Sequence, residues 1–307
     1  LEFRRVLFRS SIIAIESNRL NETITVGEEV LSMYGSNIYI ELGEKMTLID
    51  MLYGLMLRSG NDAAIVIATY IAGSEEEFVK MMNKKAKEIG MKNTIFNNCH
   101  GLDENTQNKS TAYDMALLSS YASKNPIYQK IVSTKKYQVQ TDKKSYIWYN
   151  RNKLLTEYKY ATGGKTGYTP SAGKTLVTTA SFNNLNLTAV TLNDGNQYDS
   201  HINLYNYGFE NYKKYKILDK NKFKIDDNFF KNKIYIKEDF YYPLANLEKD
   251  KIKVLVKINK LTDFKDNEKI GTVTVMLNDK NIFEENVYIN INKKENKSIF
   301  KRIKEWL

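Results

Sequence analysis

Residues 47–73, "TLIDMLYGLMLRSGNDAAIVIATYIAG", set two strongly apolar segments in tandem, and any fold of this chain must supply a core that covers both. Thr47 and Asp50 form a Thr-x-x-Asp capping pair, and Leu48, Met51, Leu52, Leu55 and Met56 recur at helical spacing. This predicts a buried helix. Ser59, Gly60 and Asn61 interrupt the pattern, and a second very apolar helix follows as far as Gly73. A polar break between two buried helices is either a capped junction, with Ser59 or Asn61 satisfying loose backbone donors, or one wall of a cleft.

More helices surround this pair. Ser74 with Glu77 caps a third, with Phe78, Met81, Met82 and Ile89 on one face and a stop at Gly90. Thr111 with Asp114 caps a fourth, from about Ala112 to Ala122. Strand patterns come later: "KTLVTTASF" (174–182) and "LNLTAVTLN" (185–193) flank the turn pair Asn183 and Asn184 and predict a hairpin. Residues 201–215 are expected to form a last helix returning to that sheet. Helices on an antiparallel sheet define an α+β domain. Beyond about residue 219 the pattern alternates: Ile252, Val254, Val256, Ile258; Val273, Val275, Leu277; Val287, Ile289, Ile291, with the turn "NDKN" (278–281) between the last two sets. A small all-β domain over 219–293 is expected. In the tail, Ile299, Phe300, Ile303, Trp306 and Leu307 share one helical face and Lys301, Arg302, Lys304 and Glu305 the other, the pattern of a basic amphipathic helix that either lies in a membrane surface, the favoured reading, or docks on the β domain.

Composition narrows the function. The 307 residues are 42% hydrophobic and carry a net charge of +10, which favours an anionic neighbour such as a lipid surface or an acidic wall polymer. The lysines are spread rather than clustered with aromatics, so nucleic acid is not an expected partner. The single cysteine, Cys99, excludes an internal disulfide framework. With only His100 and His201 besides, and no second pair at ligand spacing near Cys99 and His100, neither zinc nor another metal is expected. A Ser-His-Asp triad has no nucleophile elbow to support it.

Residues 162–170, "TGGKTGYTP", place Lys165, Thr166 and Gly167 just ahead of the first predicted strand. Ser-x-Asn (59–61) followed about a hundred residues later by Lys-Thr-Gly gives two of the three elements of penicillin-interacting serine enzymes, in their order. The wider text agrees: "GSNIYIELGEKMTLIDMLYGLMLRSGNDAA", "FVKMMNKKAKEIGMKN", "HGLDENTQNKSTAYDMALLSSYASKNP", "NRNKLL" and "GGKTGYTPSAGKTLV". From Ser11 onward the chain resembles the D-alanyl-D-alanine carboxypeptidases of the low-molecular-mass penicillin-binding protein family, including their β-rich C-terminal domain and basic membrane anchor. The resemblance implies a β-lactamase/transpeptidase-like domain over 11–218, the β domain over 219–293 and an anchor over 294–307. It implies that Lys165 and Thr166 bind the terminal carboxylate of a D-Ala-D-Ala stem peptide, a cation and a hydroxyl meeting an anion. Gly167 would let the substrate backbone approach, and the Tyr168 N–H would form half of an oxyanion hole. Ser59 would relay protons, and Asn61 would hold the substrate amide. Stem peptides, β-lactams and, through 297–307, a membrane surface are the implied partners, without cofactor, outside the bacterial cytoplasmic membrane.

The third element, Ser-x-x-Lys, is missing where the resemblance places it. Aligning "IIAIE" (12–16) puts the nucleophile and its lysine at positions 4 and 7, which hold Arg4 and Leu7. Residues 1–10, "LEFRRVLFRS", lack a helix-opening pattern and match, codon for codon, a sequencing-library adaptor; a non-native segment joined to a truncated gene, its export signal lost, is the expectation. The chain as given is then inactive. Two alternatives stand beside this: a non-catalytic relative that binds wall peptides, and a dyad with Ser59 as nucleophile and Lys165 as base. β-Lactamase and transpeptidase are the other reactions of such a fold.

Overall fold

A computed structural model describes residues 6–102 and 108–291, and the chain divides into two compact units, Leu1–Gly208 and Phe209–Leu307. Ile12, Ile13, Ala14 and Ile15 are buried on α1 (Val6–Glu16). The helix starts earlier than the sequence pattern indicated: residues 6–10 are helical although no cap precedes them, carried by the burial of the apolar run that follows. Two short strands, β1 (Thr23–Thr25) and β2 (Lys45–Thr47), pair antiparallel and lead into the tandem helices.

α2 (Leu48–Arg58) begins where Thr47 Oγ1 accepts the Asp50 N–H, the capping pair legible in the sequence. Leu48, Met51, Leu52, Leu55 and Leu57 are fully buried, each worth about 2 kcal/mol of transfer free energy. α3 (Asn61–Ala72) is nearly apolar all round and buried over its first two turns. α4 (Glu75–Ile89) opens on Ser74, whose hydroxyl accepts the Glu77 N–H. Its inward face is Phe78, Met82 and Ala86; Met81 is exposed, because the apolar stripe runs at i, i+4, i+8 from Phe78 and leaves Met81 to one side.

α5 (Ala112–Ala122), capped by Thr111, and α6 (Pro126–Ser133), capped by Asn125 with Pro126 in the first turn, complete the helical layer. A hairpin of β3 (Lys136–Gln140) and β4 (Ser145–Tyr149) packs on α2, where Tyr53 and Tyr137 stack with centroids 3.6 Å apart and Trp148 lies beyond. The short α7 (Leu154–Glu157) precedes the three-stranded antiparallel sheet of β5 (Ala161–Thr169), β6 (Gly173–Phe182) and β7 (Leu185–Thr191). Asn183 and Asn184 both have positive φ, 48° and 62°, the two-residue turn whose twist suits a hairpin.

The segment Ala161–Thr169, which the sequence pattern placed ahead of the first strand, is itself a strand and pairs with that one. Its glycines hid this, since glycine is a poor strand former. They are required by contact: a Cβ at Gly164, where φ is 144°, would lie 2.3 Å from the Val177 carbonyl oxygen on β6. α8 (Gln197–Asn211) buries His201 and Tyr205 against the sheet, with Thr178 Oγ1 2.6 Å from His201 Nδ1 and 2.7 Å from Tyr205 Oη. The helix expected over 201–215 therefore begins four residues earlier and stops at Asn211, because residues from Tyr212 are taken into a strand.

That strand, β8 (Tyr212–Leu218), belongs to the second unit. β9 (Ile234–Tyr235), β10 (Phe240–Ala245), β11 (Ile252–Ile258), β12 (Lys269–Leu277) and β13 (Lys280–Ile289) follow, with β10 on β8 and a four-stranded sheet in the order β11-β12-β13-β9. Val273, Val275, Val287 and Ile289 form its core, and Asn278 and Asp279 make the β12–β13 turn with positive φ. Ile291 lies past the end of β13 and is exposed. The predicted tail helix (297–307) lies outside the described residues.

Replacing Gly164 with alanine is expected to lower unfolding free energy by about 3 kcal/mol through that clash. A shift of the urea midpoint measures it, and an unchanged midpoint would show that β5 can move away from β6.

Candidate active site

The cleft is built from a helix junction on one side and β5 on the other. α2 ends because Ser59 takes the left-handed conformation (φ 63°, ψ 46°), which costs a serine about 1–2 kcal/mol. Gly60 then returns to extended backbone and Asn61 opens α3; the first-turn N–H of Asp62 donates to Asn37 Oδ1 (3.3 Å) and that of Ala63 to Asp62 Oδ1 (2.9 Å). The side chains that satisfy these loose donors are thus Asn37 and Asp62, not Ser59 or Asn61. Asn61 donates its N–H to the Ser36 carbonyl (2.8 Å) and its Nδ2 to the Tyr34 carbonyl (2.8 Å). Its Oδ1 is buried with no hydrogen-bond partner among the described residues.

From β5, Lys165 reaches across 106 residues of sequence to hydrogen-bond the Ser59 hydroxyl through Nζ, and it also donates to the Thr166 carbonyl at 3.0 Å. The side chain is only 2% exposed, so the ammonium meets fixed oxygens rather than bulk water. Ser59, Thr166, Gly167 and Tyr168 line a cavity of about 510 Å³. The structure therefore brings the two halves of the sequence motif face to face, with Asn61 just behind Ser59. At the third element, position 4 lies outside the described residues and Leu7 falls within α1.

Several functional neighbours were not singled out from the sequence. Ser36, Arg151, Lys174 and Gln197 line the same cavity. Arg151 Nη1 donates to Ser36 Oγ at 3.2 Å, the Arg151 N–H to the Leu57 carbonyl and the Tyr198 hydroxyl to the Arg151 carbonyl. The quoted "NRNKLL" carried that signal. Asn150 Oδ1 accepts the Asn152 N–H and Asn152 Oδ1 the Leu154 N–H, a turn of two asparagines that projects the arginine.

Asp62 was also missed. Its carboxylate is buried and gathers the N–H groups of Ile38 (3.0 Å), Tyr39 (2.7 Å) and Ile40 (3.3 Å), besides Ala63 in its own helix. Burial pushes this carboxyl above its ordinary range, and the N–H groups of Ile38, Ala63, Ile40 and Tyr39 pull it back. Tyr39, at φ 63°, gives the loop the curvature that lets successive N–H groups converge. The same loop supplies the carbonyls that hold Asn61 and the hydroxyl that meets Arg151. Asp62 thus fixes one wall of the cleft without lining it.

The Cys99 and His100 pair serves the fold. Cys99 is buried and its N–H donates to Glu75 Oε1 (2.8 Å); burial, then the Glu75 charge, pushes the thiol well up. His100 Nδ1 accepts the Leu102 N–H, and the Cys99 carbonyl accepts the Ser10 hydroxyl.

Helices on an antiparallel sheet, with Ser-x-Asn and Lys-Thr-Gly facing each other across a cleft, define the class of penicillin-interacting serine enzymes. The model of the D-alanyl-D-alanine carboxypeptidase family matches residues 11–196, and that of the penicillin-binding protein 5 C-terminal domain matches 212–298. The chain belongs to the D-alanyl-D-alanine carboxypeptidase family. It is 42% identical to the carboxypeptidase DacF of Bacillus subtilis over 174 residues, 56% of this chain and 44% of that protein. Against DacA of Haemophilus influenzae the identity is 32% over 225 residues, 68% of this chain and 55% of the relative. The matches span about half the length of these curated relatives. Penicillin-binding protein 5 from Haemophilus influenzae superposes with a TM-score of 0.77 at 25% identity, covering 94% of this chain and 89% of that one. The D-alanyl-D-alanine carboxypeptidase from Mycobacterium tuberculosis gives 0.64 at 27% identity, over 67% and 81%.

Removing the Asp62 carboxylate with Asp62→Ala leaves three N–H groups of the 38–40 segment, those of Ile38 and Ile40 buried, without their acceptor and should cost about 3 kcal/mol of stability. Hydrogen exchange should show the amides of Ile38, Tyr39 and Ile40 losing protection before those of α2.

Proposed function

We propose that this chain carries the substrate-binding walls of a serine D-alanyl-D-alanine carboxypeptidase, an enzyme that removes the last D-alanine from peptidoglycan stem pentapeptides. The observation that carries this reading is the contact of Lys165 with Ser59 across a cavity lined by Thr166, Gly167 and Tyr168. A buried ammonium and a threonine hydroxyl side by side form a site for one small carboxylate. The unpartnered Asn61 Oδ1 suits a substrate amide N–H, and the Tyr168 N–H would polarise the scissile carbonyl. Ser59, hydrogen-bonded to Lys165, is placed to pass a proton between nucleophile and leaving amine.

In the complete enzyme the reaction would run through an acyl-serine that water hydrolyses, with no metal or cofactor, and β-lactams would acylate the same serine. A lysine beside that serine would deprotonate it. Here Arg4 and Leu7 occupy the two positions, and neither side chain performs those steps. The chain as given therefore binds without turning over, and the Ser59–Lys165 dyad is not the nucleophilic pair. Action outside the cytoplasmic membrane, with the tail at the lipid surface, belongs to the same proposal. No helix among the described residues is long and apolar enough to cross a membrane.

Binding of an acetylated peptide ending in D-Ala-D-Ala, followed by amide-shift NMR, tests the reading. Saturable binding absent for the L-Ala-L-Ala peptide is expected, weakened roughly tenfold or more by Lys165→Met. Equal binding of both peptides would overturn it. Release of D-alanine by the unmodified chain would instead overturn the loss of the nucleophile. The double variant Arg4→Ser with Leu7→Lys is expected to acquire covalent labelling by a fluorescent penicillin, detected by intact-protein mass.

A further inference from the structure

Several apolar side chains exposed on the second unit stand singly, as is ordinary for a surface; Leu247, 85% exposed, lies alone in the polar turn Asn246–Lys251 ahead of β11. One end of the unit is different. There Phe229 is 48% exposed, and its ring lies 5.7 Å from that of Phe264, on the loop after β11. Phe230, which is buried, meets the same two rings at 4.9 and 5.8 Å. Asp227 Oδ1 accepts the N–H groups of both Phe229 and Phe230 at 2.8 Å, a turn that sends one ring inward and the other out. Leu261, 69% exposed, belongs to the same loop as Phe264.

The chain leaves β13 at this same end. The Asn290 N–H donates to the Lys233 carbonyl at 2.6 Å and the Ile291 N–H to Asp266 Oδ1 at 3.0 Å, while Lys233 Nζ stands 4.0 Å from the centre of the Phe229 ring. Ile291 is itself exposed. Lysines and acids nearly balance over 226–233 and 260–268, with Asp227 and Asp266 accepting backbone N–H groups and Glu268 paired with Lys260. Apolar contact, not charge, is what this patch offers.

From Ile291 to residue 297, where the basic amphipathic pattern begins, the chain reaches roughly 20 Å when fully extended. A tail lying in a lipid surface therefore holds this end of the unit within that distance of the same surface, where a second contact costs little further freedom. We propose that Phe229, Leu261 and Phe264, with Ile291 at the chain's exit, form a lipid-contact patch through which the β unit itself seats in the interface of an anionic bilayer. This rests on the reading that places the tail at a lipid surface. The aromatic and leucine side chains enter the interface, while Lys233, drawn over Phe229, keeps its ammonium among the headgroups. Two contacts fix the tilt of the unit on the membrane, whereas the tail alone leaves it free to swing.

Vesicles of phosphatidylglycerol and phosphatidylcholine test this with the full chain. Leu261→Cys and Leu247→Cys each receive an environment-sensitive fluorophore, Cys99 being buried; Leu247 is the control, since β11 (Ile252–Ile258) runs between the two positions and separates them by roughly 20 Å. With vesicles the Leu261 label is expected to shift to the blue and to be quenched by spin-labelled lipid, and the Leu247 label to do neither. Leu261→Ser should weaken co-sedimentation with the vesicles about threefold to tenfold, and that loss should persist in about 0.5 M salt, which screens charge but not apolar contact. Co-sedimentation with neither label responding, or with both responding alike, would overturn the patch alone. A Leu261 label already blue-shifted without vesicles would overturn it in favour of the tail or a second copy as the covering partner. A chain that does not bind the vesicles at all would overturn the tail reading beneath it and the patch with it.

Discussion

A lysine ammonium held almost wholly out of solvent is the constraint on which the arrangement of the first unit depends. Burying that charge is costly unless fixed oxygens replace water, and Lys165 finds them in the Ser59 hydroxyl and the Thr166 carbonyl. Both need exact placement of distant backbone. Ser59 is presented by a left-handed break between two helices that cannot shift, because their apolar faces fill the core. β5 lies tight against β6 because Gly164 has no side chain to keep them apart. The hydrogen bond between Lys165 and Ser59 closes a ring of constraints that starts in hydrophobic burial and ends in a polar cleft.

Asp62 plays the complementary part on the outer side of the break. A carboxylate that organises three successive N–H groups turns an irregular loop into a defined wall, and that loop then orients Asn61 and Arg151. One face of the cleft is therefore set by a buried cation and the opposite face by a buried anion. Both act through backbone as much as through side chains.

What was legible in the sequence follows from how local each determinant is. Thr47, Ser74 and Thr111 cap helices by bonding residues three positions on, and those helices begin where their caps stand. The Asn183–Asn184 turn and the β12–β13 turn are equally local. The β3–β4 hairpin, by contrast, is held by Tyr137 and Trp148 against α2, and Tyr212 becomes strand rather than helix through pairing with Ala245 on β10. Neither partner is near in sequence. In the site, Ser59, Asn61 and Lys165 stood out because the motif preserves residue types at fixed spacing. Asp62 hid in plain view beside Asn61, since its role depends on where residues 38–40 pass. Lys174 and Gln197 could be placed only once the β5–β6 register and the start of α8 were known.

Cys99 has a consequence of its own. The chain's single thiol is buried and pushed well above its ordinary pKa, while its neighbours Ser10 and Glu75 are recruited from the first and fourth helices. A maleimide or disulfide reagent can reach the sulfur only when those helices part. The protein thereby carries an intrinsic clock: the rate at which the thiol is captured reports how often the helical layer opens, with no label added to the cleft itself.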